Sequence, residues 1–92
     1  MSTQKLGIKL KVTIEAYSKR RTLIRFTLPS GDKKMMPGPH MPATQLGPID
    51  AMYYPNQCVE IVHIGQRGGE TATWEIPLHE INQLPASGMP PL

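Results

Sequence analysis

The sequence predicts a mainly β fold: an antiparallel meander of four to five strands, curled or closed into a small barrel, with one short C-terminal helix. Three observations carry that expectation. Two long runs alternate apolar and polar residues with period two, and a single stretch near the C-terminus spaces its apolar residues three apart. Ten prolines and eight glycines in 92 residues leave room only for short elements separated by turns. So short a chain buries about 60 to 65% of its unfolded surface and supports one core, so residues 1–92 are read as a single domain.

The first run, KLGIKLKVTIEA (residues 5–16), sets Leu6, Ile8, Leu10, Val12, Ile14 and Ala16 on one side. Lys5, Gly7, Lys9, Lys11, Thr13 and Glu15 fall on the other, as in a strand buried on one face. Residues 21–28 alternate again, with Ile24, Phe26 and Leu28 inward and Arg21, Leu23, Arg25 and Thr27 outward. The short link YSKR makes the two runs a hairpin. Apolar must face apolar, which leaves Val12 opposite either Ile24 or Phe26. Both registers put Lys9, Lys11, Arg21 and Arg25 on one face. In the first, Lys11 also lies opposite Arg25, a like-charge pair that an anion above it would relieve.

LPSGDKK reads as a turn. MMPGPHMPATQLGP, with four prolines and two glycines, reads as a long surface loop over 35–48, since neither a helix nor a central strand persists through it. IDAMYY is a short strand or a helical turn. QCVEIVHI is a strand with Val59, Ile61 and His63 on one face and Cys58, Glu60, Val62 and Ile64 on the other. GQRGG turns the chain into ETATWEI, its hairpin partner. PLHEINQL opens on Pro77, a favourable first helical residue, and spaces Leu78, Ile81 and Leu84 for a helix over 77–84. Residues 85–92 read as an irregular tail. The run TWEIPLHEINQL resembles the last strand and helical turn of SH3-like barrels, which implies a closed barrel; a two-layer sheet with one helix is the alternative.

Charge is distributed unevenly. Residues 1–34 hold nine of the ten Lys and Arg against Glu15 and Asp32, a local balance of +7, while residues 35–92 hold Arg67 against five carboxylates, or −4. A chain so polarised attracts polyanions more strongly than its net +3 implies. Cationic side chains at alternate positions stand roughly 7 Å apart along a strand, near the phosphate repeat of an extended nucleic-acid strand. The expected nucleic-acid or ribonucleoprotein surface therefore comprises Lys9, Lys11, Lys19, Arg20, Arg21, Arg25, Lys33 and Lys34, with Arg67 at a glycine-rich hairpin tip. Phe26 and Trp74 read as core, so base stacking falls to Tyr17 or to the Tyr53 and Tyr54 pair. The alternative is a protein-directed adaptor or inhibitor that docks on an acidic surface through Met35, Met36 and Met41 of the loop, with Tyr53 and Tyr54 as further protein contacts.

No catalytic constellation is legible, and a non-enzymatic protein without cofactor, metal or small-molecule substrate is expected. His40, His63 and His79 lack a second ligand at zinc spacing. Cys58 reads as a small buried hydrophobe, with His63 on the opposite face of its strand. GQRGG has neither the spacing nor the lysine of a phosphate loop. One cysteine excludes an internal disulfide, and no apolar run approaches the roughly 18 residues of a membrane span, so a cytoplasmic protein is expected. In compactness, basic hairpin and lack of chemistry the chain resembles phage-encoded anti-CRISPR proteins. That resemblance implies an inhibitor occupying the RNA and subunits of a CRISPR surveillance complex.

Overall fold

The computed structural model describes residues 6–66 and 71–86. Among them are seven strands: β1 Ile8–Leu10, β2 Val12–Ser18, β3 Arg21–Thr27, β4 Lys33–Pro37, β5 Ile49–Tyr54, β6 Cys58–Ile64 and β7 Thr71–Pro77. A short helix, α1 Leu78–Ile81, follows directly on β7. All pairings are antiparallel, in one sheet of order β1-β5-β6-β7 and a second of order β2-β3-β4. The fold is thus mainly β, as the alternation predicts, with two open sheets instead of a closed SH3-like barrel.

The count exceeds four to five because the first alternating run serves both sheets and because β4 forms where a turn and loop are expected. Lys11 falls outside either strand: Leu10 pairs with Ala51 in the larger sheet, and Val12 pairs with Phe26 in the smaller. The alternation passes through this corner unbroken because both sheets face the same core. Leu10 is buried, Val12 and Ile14 are half-buried, and Leu6 and Ile8 are largely exposed at the outer end.

Of the two admissible hairpin registers, the fold adopts the one with Val12 opposite Phe26 and Ile14 opposite Ile24. This sets Lys11 beside Thr27, whose N–H donates to the Lys11 carbonyl at 3.1 Å, and so separates Lys11 from the Arg25 position. A bulge between Ala16 and Ser18 leaves Tyr17 as the extra residue, and Lys19–Arg20 closes the hairpin. Arg20 takes φ 58°, a left-handed conformation that a side chain rarely adopts.

The segment read as a loop from residue 35 begins instead as strand. Met35 and Met36 lie in β4, paired with Arg25 and Ile24, and both are buried. Pro37 is tolerated because it ends the strand. Beyond it the chain runs irregularly to residue 48, with one 3₁₀ turn at Ala43–Gln45. The outer edge of β4 is covered in part by the C-terminal segment: the Met35 N–H donates to Pro85 O at 3.1 Å, and Lys34 bridges Ala86. Of the tail read as irregular, residues 87–92 lie outside the described residues.

Leu10, Ile24, Phe26, Met36, Ala51, Val59, Ile61 and Ile81 form one buried cluster contributed by both sheets and α1. Trp74 and Ile76 of β7, with Tyr53, pack against it. The helix is shorter than the spacing implied, four residues with Pro77 as its N-cap rather than its first turn, yet Leu84 still reaches the cluster. Leu23, read as outward, is buried although it shares the outer face with Arg25.

Candidate nucleic-acid interface

The three-stranded sheet orders its outer face in rows. Register places Thr27 between Lys11, just ahead of β2, and Lys33 on β4; the next row holds Thr13, Arg25 and Met35, and the next Glu15, Leu23 and Pro37. Neighbouring strands stand about 4.8 Å apart, so the Lys11 and Lys33 backbones are about 10 Å apart with Thr27 midway. Arg25 occupies the central strand one row along. Lys11, Thr13, Arg25, Thr27 and Lys33, together with Val12 and Phe26, line a shallow depression of about 190 Å³. Three cationic residues and two threonines thus border one hollow, a local concentration of positive charge on this face.

Arg25 is the most constrained of the three. Its Nη1 donates to Glu15 Oε1 in an ion pair across one diagonal of the β2–β3 ladder. Its Nε is buried and has no hydrogen-bond partner among the described residues. No ion pair involves Lys11 or Lys33 among the described residues. Two rows from the depression, Lys19 and Arg20 form the hairpin turn and Arg21 opens β3, all three exposed, with the exposed Tyr17 ring beside them on the bulge.

Other expected members of the cationic face are elsewhere. Lys9 belongs to β1 of the larger sheet, where its Nζ lies 3.8 Å from Asp50 Oδ1, so the corner at Lys11 removes it from the Arg25 face. Lys34 pairs with Phe26 on the inward side of β4, half-buried, and its Nζ donates to Leu84 O at 3.3 Å. Arg67 lies outside the described residues. An unbroken stripe of cations at strand spacing is therefore replaced by a compact three-cation hollow and a separate cationic turn.

The residues expected to meet a protein partner are also divided. Met35 and Met36 are buried in β4, and Met41 is half-buried in the irregular segment. Tyr53 faces the core while Tyr54 faces outward over Gly7, so adjacent positions on one strand do not form a stacking pair. Sequence reasoning did not assign Thr13 and Thr27 to the hollow, nor Glu15 as the Arg25 partner. Their signal was the alternation itself, which places Thr13, Glu15 and Thr27 between the cations once the register is known.

Elsewhere, Cys58 is a buried free thiol on the outer side of β6, and His63 is buried on its inner side. Burial holds the His63 pKa below its ordinary value. No group of three His, Cys, Asp or Glu able to hold a metal ion occurs among the described residues, and no helix among them is long and apolar enough to cross a membrane. Fold and surface together define a small two-sheet β protein with a cationic hollow on one sheet. In comparison with known proteins, no family model, curated protein or solved structure matches the chain.

Proposed function

We propose that the protein is a non-enzymatic binder of nucleic acid, engaging the phosphate backbone of a single strand at Lys11, Arg25 and Lys33 and extending along the hairpin to Arg21, Arg20 and Lys19. The observation that supports this reading is that three cationic residues and two threonines border one hollow of the β2-β3-β4 sheet. Phosphate contacts from such a surface carry no base information, so affinity is set by charge and falls with salt. Tyr17, exposed on the bulge beside the cationic turn, is the aromatic available for base stacking. Phosphates presented by a ribonucleoprotein serve equally, and the resemblance to anti-CRISPR proteins names one such complex as a partner to try. Burial of Met35 and Met36 takes two of three methionines away from the adaptor reading.

The test is a salt titration of binding to a labelled single-stranded RNA of twelve uridines. Each phosphate neutralised on a single strand contributes about 0.7 to the slope of log affinity against log salt. Replacing Lys11 and Lys33 together by Ala should lower that slope by about 1.4 and leave the circular dichroism spectrum unchanged. No binding by the unsubstituted protein at low salt, or a slope insensitive to both lysines, overturns the proposal.

A further inference from the structure

Arg25 combines two features that an ordinary surface ion pair does not explain. It sits on the central strand β3, whose backbone is paired on both sides, by β2 and by β4. Its guanidinium spends one arm on Glu15 while Nε, a donor of the same planar fork, is buried without a partner. Buried polar groups in folded proteins are almost always paired, and an unpaired donor of a charged group is a place that a water or an anion can complete. Glu15, for its part, is on β2, at the edge of the sheet, and its side chain is about half exposed (48%). It is free to move into water when Arg25 is taken from it.

We infer that the hollow is a phosphodiester subsite whose arginine is held in reserve by Glu15, an internal competitor for the position that a backbone phosphate occupies on binding. The inference rests on the nucleic-acid reading above and specifies its mechanism. A single carboxylate reaches Arg25 alone, whereas a phosphate seated over Thr27 meets Arg25, Lys11 and Lys33 together and accepts from the threonine hydroxyl. Exposed ion pairs are weak, so exchange of one carboxylate for a phosphate held by three cations favours the ligand. Once Nη1 leaves Glu15, rotation of the Arg25 side chain presents Nε and one Nη side by side, the bidentate geometry that suits a phosphate. In the unliganded protein Glu15 thereby keeps the hollow closer to neutral and limits adventitious anion binding.

The experiment compares three proteins by fluorescence anisotropy with the labelled twelve-uridine RNA at low salt: the unsubstituted chain, Glu15→Gln and Asp32→Asn. Asp32 lies in the exposed turn beside Lys33, and its substitution makes the same change in net charge without touching Arg25. Glu15→Gln is expected to tighten binding by about threefold or more and Asp32→Asn by clearly less. The gain should vanish in Glu15→Gln combined with Arg25→Gln. The Arg25 Nε–H resonance, followed by NMR, should shift on saturation with RNA and with inorganic phosphate. Equal gains from the two neutralisations, a gain that survives loss of Arg25, or an Nε–H resonance indifferent to both ligands overturns the inference while RNA binding itself stands. Absence of any RNA binding sinks the parent reading instead.

Discussion

Arg20 sets the stereochemical demands of its turn against its charge. Its φ of 58° is a left-handed conformation in which a Cβ meets the following carbonyl, at a cost of about 1 kcal/mol that glycine escapes. Asn56 takes a similar φ, 63°, in the β5–β6 turn, but asparagine tolerates it better. A cation is thus kept at the hairpin tip where glycine would fit more easily. Arg20→Gly is expected to raise stability by up to about 1 kcal/mol in chemical denaturation while weakening RNA binding at low salt. A loss of stability would mean that the arginine stem, and not its charge, holds the turn. At this scale the sequence was partly readable. The cations flanking the turn were evident, but the left-handed demand on one of them depends on a bulge that no local pattern announces.

Among elements, the irregular segment after β4 is fastened to both sheets. The Gly38 N–H donates to Thr22 O at 3.0 Å, and Thr22 Oγ1 donates to Pro39 O at 2.6 Å. At its far end the Gly47 N–H donates to His63 Nε2 at 3.1 Å. The approach is close enough that a Cβ on Gly47 would lie 2.1 Å from the Ile64 carbonyl oxygen, so only glycine fits. His63 must be neutral to accept that hydrogen bond, and burial favours the neutral form by lowering its pKa from 6.5. In the unfolded chain the ring takes up its proton near pH 6.5, whereas the folded protein resists until lower pH. The stability His63 contributes is therefore complete above about pH 6.5 and declines as pH falls toward the lower folded value. Urea midpoints are expected to drop between about pH 7 and 5, with most of that drop absent in His63→Gln.

Legibility of the elements follows from what each kind of signal encodes. Period two located β2, β3, β6 and β7 because each has one face on the core, and it gave the inward set Ile24, Phe26, Val59, Ile61 and Trp74 correctly. It did not reveal the corner at Lys11, since Leu10 and Val12 point at the same core from different sheets. β4 is hidden by prolines: Pro37 at its end and Pro39 just beyond mask the pairing of Met35 and Met36 with Arg25 and Ile24. The candidate site inherited both errors. Lys9 was assigned to a face that the corner removes it from, and Met35 and Met36 to a surface that β4 buries.

For the molecule as a whole, two sheets around one core give two outward surfaces of opposite character. The outer face of β2-β3-β4 carries Lys11, Arg25 and Lys33, and that of β1-β5-β6-β7 carries Asp50, Glu60 and Glu75, the last two directly opposite each other. The imbalance between the halves of the sequence thus becomes a separation in space. Such a separation would orient the approach of any polyanion before contact forms. Lys9 tempers the acidic face through Asp50, as Glu15 tempers the basic one through Arg25.

The division of the first alternating run between two sheets also sets an order of assembly. β2, β3 and β4 follow one another through short turns and can zip together locally, but β1 finds its partner in β5, about forty residues downstream. Closing so long a loop is slow compared with a hairpin, and contacts made across it tend to form after the rate-limiting barrier. Leu10→Val is accordingly expected to speed unfolding while leaving the refolding rate nearly unchanged in stopped-flow measurements. During synthesis β1 emerges well ahead of β5, so a strand made early must wait, unmated, until the middle of the chain arrives.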